Sequence, residues 1–326
     1  MIPRQLIRRI AGTAGTCLAL MAAPPAARSA GDLPEGVAAR DVKFFSEAVE
    51  CYARIFTPKG FTGDSKSPAV VLAPVPGETA ASVEKYAVQF AARGLVAMTF
   101  DYRGWGRSGA FVYLAEPLRW DDRLRFSPHT ARVRLRRMRL LPDAQILDIR
   151  NAVSYLQGEP GVDRGRIGLW GADLAAGHGV TVAATDVRVR AAVAVVPVIE
   201  GKDVPRRASR PDAERQAQMV KLARSGQAPA YPESADLMNA LEARLAQAEY
   251  HPFWYVDQIP ETTAVLFIIA GKDGKVDNET HAIAASRQLK GPNGVTVIPA
   301  AMHSLSSPGA FEAAVEAAAA WFQKYL

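Results

Sequence analysis

The stretch IGLWGADLAAGH, residues 167–178, decides the fold. Its first half is an apolar run typical of a buried strand, and its second half is typical of a helix. Between the two stands a small–any–Asp–any–small pattern, from Gly171 to Ala175. Such a pattern is typical of a nucleophile elbow, a sharp strand-to-helix turn that holds the side chain of its central residue exposed. Serine is the usual central residue, but here it is Asp173.

Strand-like and helix-like segments alternate on both sides of this turn. Two short alternating runs, 42–45 and 50–56, predict a hairpin at the start of the domain. Further strands are predicted at 68–75, 95–104, 166–171, 189–199, 264–271 and 295–300, and helices at 83–94, 143–157, 173–185 and 310–326. This alternation predicts an α/β fold in which a mostly parallel central sheet carries helices on both faces.

Two segments interrupt the alternation. Residues 111–142 are rich in arginine and aromatic residues, and we expect no strand there. Residues 200–260 begin polar and then carry leucines every four residues before the aromatic run YHPFWY at 250–255. Leucines at that spacing lie on one face of a helix. The second segment is therefore interpreted as a helical cap inserted between two core strands, within a domain that covers residues 40–326.

The N-terminus has the pattern of a secretory signal peptide. A basic start, a short apolar run and a small-residue exit occupy residues 1–29, with the expected cleavage after Ser29. The sequence thus predicts a periplasmic or secreted protein. The signal peptide would carry away four arginines and no acid, which lowers the formal net charge from +6 to +2. So small a surplus of positive charge argues neither for a nucleic-acid partner nor for a membrane surface, and we expect neither; no later stretch is long enough to span a bilayer. The oligomeric state is left open.

Cysteine and histidine usage bears on redox and metal chemistry. Cys17 lies in the predicted signal peptide, so the mature chain keeps Cys51 and can form no internal disulfide. Cys51 stands in an alternating strand-like run and is expected to be a buried, inert thiol. No pair of histidines has a metal-ligand spacing. We therefore expect a small-molecule substrate and neither metal nor cofactor.

Three polar residues follow predicted strands and can meet at one edge of the sheet. Asp173 ends the strand before the turn, Asp273 follows the strand 264–271, and His303 follows the strand 295–300. Open α/β sheets gather their active sites at the carboxyl ends of their strands. The order nucleophile, acid, histidine is that of an α/β-hydrolase triad. Asp277 is the alternative acid, but it stands further from its strand end.

Four motifs in order resemble the α/β-hydrolase superfamily, in particular the branch of dienelactone hydrolases and X-Pro dipeptidyl peptidases. They are TFDYRGWGRSG at 99–109, the run 148–171 that leads into the elbow strand, AGKDGKVD at 270–277 and AAMHS at 300–304. The resemblance covers about residues 40–326. It implies a hydrolase with Asp173 in the nucleophile position, His303 as base and Asp273 as the acid that orients it.

The resemblance also implies an oxyanion hole built from backbone N–H groups, and here the chain departs from the pattern. The N–H of Leu174 directly after Asp173 is retained. The second donor loop reads APVPG at 73–77, and its two prolines have no N–H. The second donor is therefore predicted to be Val75 or Gly77. Loss of one such donor costs about 3 kcal/mol of transition-state stabilisation.

An aspartate at the elbow favours a different substrate class from serine. A carboxylate can attack a saturated carbon and form an ester intermediate, which His303 would then help water to cleave. In this the chain is similar to epoxide hydrolases and haloalkane dehalogenases, and Tyr250 and Tyr255 become candidates for substrate binding. Leu174, however, stands where those branches usually have tryptophan. Two alternatives stay open: hydrolysis of an ester or lactone with Asp173 and His303 as general base, and a degenerate hydrolase that binds a ligand without turnover.

Overall fold

The computed structural model describes residues 33–116, 128, 130–199, 218, 221, 225 and 250–326. The predicted signal peptide and most of the predicted cap lie outside these residues, and both stay predictions. The strands are β1 Ala38–Ser46, β2 Val49–Thr57, β3 Ser67–Ala73, β4 Val96–Phe100, β5 Phe111–Leu114, β6 Val133–Arg136, β7 Val162–Ala172, β8 Val189–Val195, β9 Ala264–Ala270 and β10 Asn293–Ile298. The longer helices are α1 Ala80–Ala91, α2 Pro142–Gln157, α3 Leu174–Thr185 and α4 Ala310–Tyr325.

Eight strands form one sheet in the order β1-β2-β4-β3-β7-β8-β9-β10. The pairs β1–β2 and β2–β4 are antiparallel, and every other neighbouring pair is parallel. The inner strands are continuous apolar runs because both of their faces are covered, as in β9, in which all seven residues are buried. The predicted α/β fold with a mostly parallel sheet is thus confirmed.

The helices lie on both faces of the sheet, and the sheet separates the core into two layers. Helices α2 and α3 pack on one face around residues such as Ile149 and Val180. Helices α1 and α4 pack on the other face, where Phe90 and Phe322 meet edge to face with ring centroids 5.6 Å apart. Cys51 belongs to the first layer and is fully buried, as expected, and burial raises the pKa of its thiol to about 12.

The arginine-rich segment 111–142 contains strands, which corrects the expectation from sequence. Strands β5 and β6 form an antiparallel hairpin separate from the main sheet. Apolar residues pair across one face of the hairpin, Val112 with Leu135 and Leu114 with Val133, and all four are exposed. Residues 133–136, VRLR, alternate between apolar and charged as a strand does, but the arginine-rich composition of the segment led us to expect no strand there.

The loop that follows β4 is joined to helix α2 by a buried ion pair. The Arg103 guanidinium donates to Asp148 of α2 over 2.5 Å, and the hydroxyl of Ser46 donates to the same carboxylate over 2.6 Å. Both charged side chains are almost completely buried. This pair joins the loop after β4 to α2, the helix that leads into the elbow strand β7.

Candidate active site

The elbow at Asp173 has a backbone conformation that few non-glycine residues adopt. Its φ is 54° and its ψ is −126°, the region of the first central residue of a type II′ turn, which glycine normally fills. Two hydrogen bonds hold it there: the Asp173 N–H donates to the Val195 carbonyl over 3.0 Å, and the Val198 N–H donates to the Asp173 carbonyl over 3.1 Å. Gly171 is required because a Cβ there would lie 2.6 Å from the carbonyl oxygen of Ala175.

Three side chains at the carboxyl ends of β7, β9 and β10 form one hydrogen-bonded chain, as the sequence led us to expect. His303 Nδ1 lies 2.8 Å from Asp273 Oδ2, and His303 Nε2 lies 3.2 Å from Asp173 Oδ2. The pairing is with Asp273 and not with the alternative acid Asp277, whose carboxylate accepts from its own helical turn. Asp173 also stands at the N-terminus of α3, where the helix dipole favours a negative charge.

A lysine that the sequence analysis did not single out completes this cluster. The Lys275 ammonium donates to Asp173 Oδ2, the same oxygen that His303 contacts. The other carboxylate oxygen, Asp173 Oδ1, is buried and has no hydrogen-bond partner in the part of the chain that the structure describes. Asp273 holds the lysine's loop in place, since its Oδ1 accepts the N–H groups of Lys275 and Val276, each over 2.9 Å.

The charged side chains of this cluster stabilise one another's ionised forms. Burial alone raises the pKa of Asp173, but the hydrogen bond from His303 and the positive charge of Lys275 outweigh it and hold the pKa below its usual range. Burial likewise raises the pKa of Asp273, and the N–H groups of its loop and His303 bring it below its usual range. Burial lowers the pKa of His303, but the two flanking carboxylates outweigh this and raise it. The resting site therefore favours two carboxylates around an imidazolium.

The predicted oxyanion-hole residues lie beside the elbow. Leu174 is the first residue of α3, so its N–H belongs to the unpaired first turn of a helix. Val75 is half-buried in the loop after β3, and its carbonyl accepts the N–H of Glu78 over 2.8 Å. Their service as oxyanion donors stays a prediction.

The two candidate substrate-binding tyrosines occupy different surroundings. Tyr250 is buried, and its hydroxyl lies 2.6 Å from Nδ1 of His178 and 3.3 Å from the Leu174 carbonyl. Burial lowers the pKa of His178 to about 3, so the ring is neutral and can accept from the tyrosine. Tyr250 thus attaches the end of the predicted cap to α3. Tyr255 lies in the 3₁₀-helix Pro252–Gln258 and is partly exposed. Substrate binding by either tyrosine stays a prediction.

No group of three or more histidine, cysteine or acidic side chains within the described ranges could hold a metal ion. In the same part of the chain, no helix is long and apolar enough to cross a membrane.

The fold is that of the α/β-hydrolases, and comparison with known proteins shows the family to which the chain belongs. It belongs to the BAAT / acyl-CoA thioester hydrolase C-terminal family, whose model matches residues 149–319 and so includes Asp173, Asp273 and His303. The α/β hydrolase GrgF from a Penicillium species has a similar structure, with a TM-score of 0.65 and 17% identity over 88% of this chain and 98% of its own.

Among curated relatives, the quorum-quenching protein AidA of Acinetobacter baumannii is 27% identical over 53% of this chain and 48% of its own length. The thiohydrolase aneE of Aspergillus aculeatus is 28% identical over 43% of this chain and 37% of its own length. The matched region is thus less than half of either relative.

Proposed function

We propose that the protein hydrolyses a small neutral epoxide through a covalent ester on Asp173. The observation that carries this proposal is the asymmetry of the Asp173 carboxylate. Oδ2 is held by His303 and Lys275, whereas Oδ1 is buried and has no partner among the described residues, so its lone pairs are neither hydrogen-bonded nor hydrated. A serine hydroxyl needs a base to remove its proton, but a carboxylate with a lowered pKa is already an anion.

The raised pKa of His303 favours an epoxide over an alkyl halide. When Oδ1 attacks a ring carbon, the carbon–oxygen bond of the epoxide breaks and the ring oxygen needs a proton. The imidazolium of His303 can supply it and is then neutral. The same step turns the Asp173 carboxylate into a neutral ester, so the charge that raised the pKa of His303 is lost. His303 becomes a base only after the ester has formed, which is when hydrolysis needs one.

The origin of the product oxygen tests this proposal. Excess enzyme reacts with a small aryl epoxide for a single turnover in ¹⁸O-labelled water. We expect the diol to carry unlabelled oxygen and the peptide that contains Asp173 to gain the label, because the transferred oxygen is Oδ1. Asp173→Asn should be inactive, and Asp277→Asn in the neighbouring loop serves as the matched control. Labelled diol with an unlabelled peptide, or no turnover of epoxides, would overturn the proposal.

A second candidate is hydrolysis of an acyl thioester by direct attack of water, which the family membership and the thiohydrolase relative favour. A carboxylate that attacks an acyl group gives a reactive anhydride, so here Asp173 and His303 would act together as the base. An acyl-CoA substrate in the same labelled water distinguishes the two candidates. This route predicts label in the released acid and none in Asp173.

A further inference from the structure

We propose that Lys275 is a catalytic residue that stabilises the negative charge developing on Asp173 Oδ2 while the ester is hydrolysed. The inference rests on the proposed function, since it concerns the second step of that reaction. It begins from the contact between the Lys275 ammonium and Oδ2. If Oδ1 forms the bond to substrate, then Oδ2 becomes the carbonyl oxygen of the ester, and the ammonium already lies on it.

The step can be written with every atom placed. Water gives a proton to His303 Nε2 and bonds to the Asp173 side-chain carbonyl carbon, which puts a negative charge on Oδ2 beside the ammonium. The bond between that carbon and Oδ1 then breaks, and the leaving alkoxide takes the proton back from His303. The carboxylic acid that remains gives its proton to His303 Nε2, which restores the imidazolium and the ion pairs of the resting site.

The need for such a cation follows from the loop opposite the elbow. Pro74 and Pro76 provide no N–H, so this loop can offer fewer backbone donors than a loop without proline. An ammonium is a charged donor, and a charge-assisted hydrogen bond is roughly twice as strong as a neutral one. Lys275 can therefore stabilise the negative charge on Asp173 Oδ2 in place of a missing backbone donor.

The lysine is well placed for this role at little cost in desolvation. Its side chain is about half exposed, at 53%, whereas the Asp173 side chain is 13% exposed. The ammonium thus keeps part of its hydration, while the backbone N–H of Lys275 donates to Asp273. The Asp273 carboxylate consequently positions two parts of the site: Oδ2 holds His303, and Oδ1 holds the loop that carries Lys275.

Rapid-quench single turnovers monitored by intact-protein mass test this role, because they separate ester formation from ester decay. Lys275→Met should slow decay by about 100-fold or more, the usual effect of losing one oxyanion donor, so the ester accumulates. Formation should not slow, since Oδ1 is not the oxygen that the lysine holds. Lys275→Arg should restore part of the decay rate. Lys272→Met, the same change in the same exposed loop, should behave as the wild type.

The possible failures are distinguishable. If the ester forms in wild type and decays equally fast in Lys275→Met, the role of Lys275 is refuted and the proposed function survives. If no ester accumulates in either protein, the role of Lys275 is refuted, and the ¹⁸O content of the peptide that contains Asp173 then decides the proposed function: a labelled peptide supports it, and an unlabelled peptide overturns it.

Discussion

The backbone strain at Asp173 can be measured by comparing glycine and alanine at this position. Both substitutions remove the carboxylate and its contacts with His303 and Lys275, so the difference between them isolates the backbone. The φ of 54° is one that a Cβ disfavours, at a cost of about 1–3 kcal/mol. Glycine avoids that cost but gains about 0.4–1 kcal/mol of conformational entropy in the unfolded chain. From the middle of both ranges, Asp173→Gly should therefore be more stable than Asp173→Ala by about 1.3 kcal/mol.

Urea denaturation of the two variants measures the difference, and an ordinary helical site gives the control. Ala320 is exposed in the interior of α4, where glycine should cost about 1 kcal/mol relative to alanine. The two positions should thus give effects of opposite sign. Equal stability of the two variants at position 173, or greater stability of alanine, would refute the claim that the elbow stores strain.

Two further predictions concern charge. Asp173→Asn should lower the pKa of His303, followed by NMR of its imidazole, because one of the two carboxylates that raise it is removed. Folding raises the pKa of His303, so protonated His303 stabilises the wild-type fold at pH values below its unfolded pKa of about 6.5. This contribution is lost as the pH rises through the pKa of His303 in the folded protein. An unchanged His303 titration in Asp173→Asn would contradict this explanation. Arg103→Met should cost about 3–5 kcal/mol in urea denaturation at neutral pH, because it leaves Asp148 buried without its main cation. The loss should be smaller in acid, where Asp148 is protonated, and a pH-independent loss would contradict the ion-pair explanation.

Sequence patterns predicted the main sheet and the longer helices because buried parallel strands are continuous apolar runs. The hairpin of β5 and β6 was missed for the opposite reason. Val133 and Leu135 alternate with arginines but face solvent, so the segment has the composition of an exposed loop. A two-stranded hairpin outside the core gives a weak signal in the sequence.

The candidate site was partly predictable for a reason of topology. Residues directly after parallel strands meet at one edge, so Asp173, Asp273 and His303 could be placed together. Lys275 could not be placed at the site from the sequence, because a long side chain two residues past Asp273 can point in many directions. The hydrogen bonds of the loop fix the direction that the lysine takes. The contact between His178 and Tyr250 joins residues 72 apart in sequence, and no spacing rule predicts it.

The side chains around the elbow carry two negative and two positive charges when His303 is protonated, so their sum is zero. A balanced group of this kind exerts little attraction on a distant ion, and the rate at which substrate arrives should hardly depend on salt concentration. The balance holds only before the reaction. Once Asp173 has become a neutral ester and His303 has given up its proton, Asp273 and Lys275 still cancel, so the site passes through the covalent stage without ever accumulating a net charge.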